Sequence, residues 1–175
     1  MFKKIFLLLL ICGLSSHAFT QEDESPDFES FDITKVGQTV PDFSFTTIDG
    51  KTYRMSELKG KTVLIVFFAT WCAPCMKELP QIESEIWRKF KSSDFMVVAL
   101  GRDHSMEEIV TFNKKKGFTF AIGPDPGKEI YSKFFKSYIP RNVLVNKEGV
   151  IVYQKQGYRE EDAGKLIELI TKETK

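Results

Sequence analysis

Two cysteines, Cys72 and Cys75, are the residues whose type and spacing could do chemistry, since only Ala73 and Pro74 separate them. A thiol pair at this spacing can form a disulfide and release it again by thiol–disulfide exchange. The pair lies between a run of apolar residues and an amphipathic stretch. We therefore interpret it as a redox centre placed at the junction of two structural elements.

The elements on either side predict where the thiols lie. Residues 62–69 are β-branched and aromatic with no polar face, which predicts a central strand buried on both sides. Apolar residues then recur at helical spacing, which predicts a helix that begins at Cys72. At a helix N-terminus the free N–H groups and the helix dipole favour a thiolate, and Pro74 suits the first turn. This order of strand, Cys-x-x-Cys and helix is typical of redox sites.

A zinc site and a structural disulfide are the simpler roles for such a pair. Zinc normally has four ligands, but the other cysteines and histidines are only Cys12, His17 and His104. Cys12 and His17 fall in a segment that we expect to be removed, so we predict no metal and no cofactor. A two-residue loop closes too little chain to stabilise a fold well. His104 is interpreted as a loop side chain.

Composition indicates an ordinary globular chain. Its 175 residues are 42% hydrophobic and 28% charged, which is enough for one domain with a real core. The net charge of +1, without a basic run or a glycine-rich phosphate loop, gives no reason to expect a nucleic-acid partner. We expect a monomer, and the 16 phenylalanines are most simply core residues.

The N-terminus has the pattern of an export signal. Lys3 and Lys4 precede a short apolar run that ends in Ser16-His17-Ala18, which predicts a signal peptide over residues 1–18 and a periplasmic or other extracytoplasmic location. The run is too short to span a bilayer, which needs about 20 residues. Residues 9–12 resemble a lipobox, but Ile11 is too large for that motif, so lipid anchoring through Cys12 is not expected.

The rest of the chain divides into a leader and one domain. Residues 19–35 are acidic and poor in aliphatics, which predicts a flexible leader, and the domain is expected over 36–175. The predicted elements are a hairpin within 40–61, a strand over 95–100, a helix from a capping box at 105–108 to Gly117, a strand over 118–122, a loop over 123–127, helical turns over 129–135, a hairpin over 142–154 and a helix over 162–172. This order predicts an α/β thioredoxin fold, with a central mixed β-sheet flanked by helices and an added N-terminal β-hairpin.

Several short motifs carry a family resemblance. They are Val36-Gly37, Pro41-Asp42-Phe43, Asp49-Gly50-Lys51, Leu58-Lys59-Gly60-Lys61, Trp71-Cys72-Ala73-Pro74-Cys75, Glu78-Leu79-Pro80, Ile139-Pro140 and Lys147-Glu148-Gly149. Together they make residues 36–172 resemble the TlpA/ResA-like branch of the thioredoxin-fold proteins, which is related to the AhpC/TSA and redoxin group.

The resemblance implies roles for the site residues. Cys72, which follows Trp71, would be the nucleophile, and Cys75 would resolve the mixed disulfide. Pro140 would be cis and face the disulfide, and the backbone at Ile139 would pair with the substrate chain. The sequence permits a cis bond here because native cis peptides are essentially confined to X-Pro.

Glu78 and Arg141 are two further positions that we compare with the family pattern. Glu78 corresponds to a glutamate that influences thiol acidity in many of these proteins, although an ordinary solvated helix residue is the alternative. Arg141 stands where the family usually has threonine, which puts the usual substrate contact in doubt. We expect its positive charge to lie near the thiolate.

The implied activity is thiol–disulfide exchange. Ala73 and Pro74 offer no histidine or positive charge to hold a thiolate, which favours a reductant of protein disulfides over a strong oxidant. The resemblance implies substrates such as apocytochrome c and electrons from a membrane thiol transporter. The alternatives are a peroxiredoxin-like peroxidase, which would consume peroxide without a disulfide substrate, and a non-catalytic binding module, which would not reduce insulin.

Overall fold

A computed structural model describes residues 28–91 and 94–175. The predicted signal peptide and Cys12 lie outside the described residues. Within 28–91 and 94–175, no helix is both long enough and apolar enough to cross a bilayer.

The strands and helices follow in the order that the sequence predicts. They are β1 (Ser44–Thr46), β2 (Thr52–Arg54), β3 (Thr62–Phe68), α1 (Ala73–Gln81), a π-helical segment (Ile82–Trp87), α2 (Arg88–Phe90), β4 (Phe95–Arg102), α3 (Met106–Lys116), β5 (Ala121–Asp125), β6 (Arg141–Val145), β7 (Ile151–Gln156) and α4 (Asp162–Glu173). Short 3₁₀ turns occur at Phe28–Phe31, Met55–Leu58, Pro126–Lys128 and Tyr131–Lys133. β1 and β2 form the separate N-terminal hairpin.

Five strands form one mixed sheet in the order β5-β4-β3-β6-β7. β3, β4 and β5 run parallel, whereas β6 is antiparallel to both β3 and β7. All seven residues of β3 are buried, as its uninterrupted apolar sequence predicts for a central strand. Alternate β3 side chains enter two core clusters: Leu64, Val66 and Phe68 join the cluster that contains both cysteines, and Val63, Ile65 and Phe67 join the other.

Strand β5 lies three residues later than predicted. The expected loop over 123–127 begins with Gly123 and Pro124, but both belong to the strand. The edge position of β5 tolerates a proline, and a side chain at Gly123 would place its Cβ 2.3 Å from the carbonyl oxygen of Thr46. The glycine here therefore serves close packing against the hairpin rather than a turn.

The predicted flexible leader is wrong for its described part. Asp32 forms a β-bridge with Phe135, and the Ile33 N–H donates a 2.8 Å hydrogen bond to the Phe134 carbonyl. The Thr34 hydroxyl donates to Gln154 Oε1 on β7 at 2.7 Å. Residues 32–34 are thus part of the domain, which begins before residue 36.

Candidate active site

The cysteines sit at the junction between β3 and α1. The turn after β3 is closed by a 3.1 Å hydrogen bond from the Cys72 N–H to the Ala69 carbonyl. Cys72 is the N-cap of α1, and Pro74 lies within the first turn, where a missing N–H leaves no intrahelical bond unmade. The predicted placement of the first cysteine at a helix N-terminus is confirmed.

Cys72 and Cys75 form a disulfide. The Cys75 N–H donates to Cys72 Sγ at 3.3 Å, so one free amide of the first helical turn points at this sulfur. Cys72 is 5% exposed and Cys75 is fully buried. Cys72 is therefore the more exposed residue of the pair, and its Sγ accepts from a helix amide of the kind that stabilises a thiolate.

The peptide bond between Ile139 and Pro140 is cis, as predicted. It immediately precedes β6, whose register with β3 pairs Arg141 with Phe67. Continuing this register by one residue sets Pro140 beside the end of β3, where the cysteine turn begins. Ile139 packs against both core clusters, so the segment before the proline is fixed at this edge of the sheet.

Glu78 is a buried residue of the helix that carries Cys75, and it is not a solvated helix residue. Its side chain lies on α1, three residues after Cys75, and is 5% exposed. The Asn142 Nδ2 of β6 donates a 2.6 Å hydrogen bond to Glu78 Oε1, while Oε2 has no partner within the described residues. Burial raises the pKa of Glu78 to about 7, partly opposed by the Asn142 hydrogen bond. This carboxyl can therefore exchange a proton near neutral pH.

An ion pair near the start of α4 also acts on this carboxyl. Lys155 of β7 pairs with Asp162, the first residue of α4. The negative charge of Asp162 contributes to raising the pKa of Glu78, and the positive charge of Lys155 lowers it. Both influences are smaller than the desolvation of Glu78, which is the main cause of its raised pKa.

The prediction that Arg141 places a positive charge near the sulfurs is wrong. Arg141 is buried on the opposite side of the sheet, where its guanidinium lies 4.4 Å from the ring centre of Phe135. Its Nη1 donates to Asp32 Oδ1 at 2.6 Å and its Nη2 to the Ser137 carbonyl at 3.1 Å. Because side chains alternate along a strand, Asn142 and not Arg141 faces the cysteine side.

The site edge carries two exposed aromatic side chains. Trp71 is 70% exposed directly before Cys72, and Tyr138 is 44% exposed two residues before Pro140. The Tyr131 hydroxyl donates a 2.5 Å hydrogen bond to the Tyr138 carbonyl, which holds the loop before the cis-proline. These rings lie on the two segments that bracket the disulfide.

Sequence reasoning missed two residues of this region. The sequence pattern predicts Asn142 only as part of a hairpin strand, although strand alternation means that one of two adjacent polar residues, Arg141 and Asn142, must face the cysteines. His104 lies in the loop after β4, as predicted, but its side chain is buried and accepts a hydrogen bond from the Thr70 N–H. Nothing in the local pattern of a single histidine after a strand predicts that contact.

A thioredoxin-type sheet that presents a Cys-x-x-Cys disulfide at a helix N-terminus, next to a cis-proline, defines a thiol–disulfide oxidoreductase. Comparison with known families agrees, since the Redoxin family matches residues 35–168. The chain belongs to the Redoxin family.

Individual relatives have the same fold and similar names. The thiol-disulfide oxidoreductase ResA of Bacillus subtilis is 31% identical over 146 residues, which cover 83% of this chain and 78% of that protein. A solved structure from Bacteroides thetaiotaomicron, provisionally described as a protein disulfide isomerase, is 39% identical, with a TM-score of 0.79 and coverage of 82% and 92%. A Chlorobium tepidum structure provisionally described as the thiol:disulfide interchange protein DsbE is 26% identical, with a TM-score of 0.71 and coverage of 81% and 99%. These matches confirm the predicted TlpA/ResA-like resemblance and the thioredoxin fold.

Proposed function

We propose that this protein is an exported reductase of protein disulfides that works through the Cys72/Cys75 dithiol. The observation that carries the proposal is the arrangement of the pair. The accessible sulfur of Cys72 lies at a helix N-terminus, and the buried sulfur of Cys75 precedes the buried carboxyl of Glu78 on the same helix. In this arrangement Cys72 attacks the substrate disulfide and Cys75 resolves the mixed disulfide.

The first step joins the enzyme to its substrate. In the reduced protein, the Cys72 thiolate attacks one sulfur of a substrate disulfide. The substrate S–S bond breaks, a mixed disulfide with Cys72 forms, and the other substrate sulfur leaves as a thiolate that takes a proton from water.

The second step releases the substrate. Cys75 gives its proton to the Glu78 carboxylate and attacks Cys72 Sγ, which breaks the mixed disulfide and expels the second substrate thiolate. Two electrons have then passed to the substrate, and the Cys72–Cys75 disulfide remains. A pKa of about 7 leaves a substantial fraction of Glu78 ionised at neutral pH, as a proton acceptor requires.

Three features support the direction and the location. The residues between the cysteines, Ala73 and Pro74, bring no positive charge that would stabilise the reduced form as in a strong oxidant. The curated relatives bear the name ResA, and the signal-like pattern of residues 1–18 favours export. Outside the cytoplasm, suitable substrates would include apocytochrome c, and a membrane thiol transporter would reduce the Cys72–Cys75 disulfide again.

An insulin-reduction assay with dithiothreitol as electron source tests the reductase. The wild type should accelerate insulin precipitation, and Cys72→Ser should not. Peroxide consumption without any disulfide substrate would instead indicate a peroxidase, and no turnover of either compound would indicate a binding module.

Export is tested separately by fusing residues 1–20 to alkaline phosphatase in a bacterial host, with Lys3 and Lys4 changed to glutamate as the control.

A further inference from the structure

His104 is a buried side chain that the proposed mechanism does not use. It is 5% exposed and is the last residue of a turn that follows β4. A 3.2 Å hydrogen bond from the backbone N–H of His104 to the Gly101 carbonyl closes this turn. Asp103 within this turn has a φ of 64°. The register pairs Gly101 with Phe68, so the turn after β4 lies beside the turn that carries Cys72.

The packing at Gly101 makes room for the imidazole. A Cβ at Gly101 would lie 3.3 Å from His104 Cδ2 and 2.3 Å from Ile109 Cδ1. A side chain at this position would therefore press on the histidine ring and clash with α3. The absence of a side chain at Gly101 lets the ring fold inward against the end of β3.

The imidazole contacts the backbone of the cysteine turn. The Thr70 N–H donates to His104 Nε2 at 3.1 Å, and the Thr70 hydroxyl oxygen lies 3.4 Å from the same nitrogen. Because a backbone N–H can only donate, Nε2 must be the nitrogen with the free lone pair, and the ring proton is on Nδ1. Thr70 is two residues before Cys72, inside the turn that the Cys72 N–H closes onto Ala69.

The other side of the ring faces helix α3. Glu108 Oε1 lies 3.5 Å from His104 Nδ1, and Glu108 Oε2 accepts a 2.7 Å hydrogen bond from the Ser105 N–H in the capping box. The hydrogen bond from the Ser105 backbone holds the pKa of Glu108 below its usual value, so this group is a carboxylate at neutral pH. A carboxylate here favours the tautomer with the proton on Nδ1, which leaves Nε2 free to accept from Thr70.

We propose that His104 is a positioning residue that holds the Thr70–Cys72 turn through its Nε2. The proposal rests on the proposed function, in which Cys72 is the attacking sulfur. When the pair is reduced, no S–S bond fixes this turn, and the histidine keeps Cys72 close to Cys75. Loss of the acceptor should therefore slow attack by Cys72, because its sulfur is then held less often in the orientation for attack. It should also make closure of the Cys72–Cys75 disulfide less favourable, because the two thiols then meet less often.

The test compares a variant that loses the acceptor with one that keeps it. His104→Leu removes the lone pair of Nε2. In His104→Gln, the side-chain amide is long enough to place its oxygen near the Nε2 position, where it can accept from the Thr70 N–H. In a Cys75→Ser background, the rate of mixed-disulfide formation with insulin reports attack by Cys72. In the protein with both cysteines, equilibration with glutathione reports the stability of the disulfide. Thermal unfolding reports stability alone.

Loss of one hydrogen bond of ordinary net strength corresponds to about a fivefold effect. We expect His104→Leu to slow attack and to weaken the Cys72–Cys75 disulfide by about fivefold each, and His104→Gln to stay within about twofold of wild type. If His104→Leu does not fold, His104→Asn replaces it, since its shorter amide does not reach the Thr70 N–H. Equal attack rates and equal glutathione equilibria in the Gln variant and the variant without an acceptor would overturn the proposal, whatever their melting temperatures.

A second comparison tests the role of the carboxylate. Glu108→Gln should shift the glutathione equilibrium in the same direction as His104→Leu, and Glu107→Gln, which makes the same charge change on an exposed neighbour, should not. Equal shifts in the two glutamate variants would contradict the link from Glu108 to His104. The glutathione equilibrium needs no protein substrate, so a wild type that fails to reduce insulin would refute the proposed function while this comparison still decides the role of His104.

Discussion

Asn142 Nδ2 donates a 2.6 Å hydrogen bond to Glu78 Oε1, which connects the strand after the cis-proline to the helix that carries the cysteines. The bond fixes one oxygen of a buried carboxyl whose other oxygen has no partner in the described part of the chain. A donor to the charged form stabilises that form, so the Asn142 hydrogen bond lowers the pKa of Glu78 and opposes the larger effect of burial.

Removing the Asn142 amide should raise the pKa of Glu78 above about 7, because the hydrogen bond is the leading influence that lowers it. For Asn142→Leu we expect the pH profile of insulin reduction to shift to higher pH. Glu78→Gln, which has no carboxyl, should turn over more slowly and lose this pH step altogether. An unchanged profile in both variants would remove Glu78 from proton transfer.

The raised pKa of Glu78 also predicts a pH dependence of stability. Between pH 4.5 and about 7 the folded protein keeps this proton and the unfolded chain has released it, so stability falls as the pH rises through this window. The contribution of this one group is on the order of 3 kcal/mol. Glu78→Gln should abolish it, so the free energy of unfolding of the variant, relative to wild type, should increase from pH 4.5 to pH 7. Urea titrations at several pH values measure this, and a constant difference would contradict a buried, protonated carboxyl.

The two cysteines should behave differently when one is removed. Cys75→Ser leaves Cys72 able to attack but without a resolving thiol, so mixed disulfides with client proteins should accumulate. Cys72→Ser should trap far less, because Cys75 is fully buried. Non-reducing gels followed by mass spectrometry of the trapped cysteine measure this. Equal trapping by the two variants, or attachment at Cys75, would reverse the assigned roles.

Asp32 should be important for stability even though it lies in the predicted leader. Its carboxylate pairs with the guanidinium of Arg141, which is 1% exposed, and accepts a 2.7 Å hydrogen bond from Gln154 Nε2. Asp32→Ala leaves a buried positive charge without its partner, so we expect a loss of about 3 to 5 kcal/mol. Arg141→Met, which removes that charge, should partly restore stability in the double variant. Chemical denaturation of the two single variants and the double variant tests this, and additive losses would show that the two groups do not interact.

The parts of the fold that the sequence predicts are those whose signals are local. The unbroken apolar run of β3, the Cys-x-x-Cys motif at a helix start and the Ser105–Glu108 capping box each specify their own structure over a few residues. The failures involve contacts between distant segments. The position of Arg141 directly after Pro140 predicts a site near the sulfurs, but its partner is Asp32, 109 residues away in sequence. The contact from Thr70 to His104 spans 34 residues.

Strand β5 shows the same limitation. Gly123 and Pro124 have the composition of a loop, and only the approach of the Thr46 carbonyl from the hairpin explains why a glycine lies in a strand. The candidate site also contains both kinds of feature, those set by local sequence and those set by contacts between distant segments. Cys72, Cys75 and the cis-proline could be predicted from motifs, whereas the Asn142 bond to Glu78 depends on the register between β3 and β6.

The reduction potential of the Cys72/Cys75 pair tests the central claim most directly. Equilibration of the protein with defined mixtures of reduced and oxidised dithiothreitol, followed by counting free thiols, measures it. A reductase of protein disulfides should have a potential near the thioredoxin value of about −270 mV. A potential near about −120 mV, which is typical of a strong oxidant, would contradict the account.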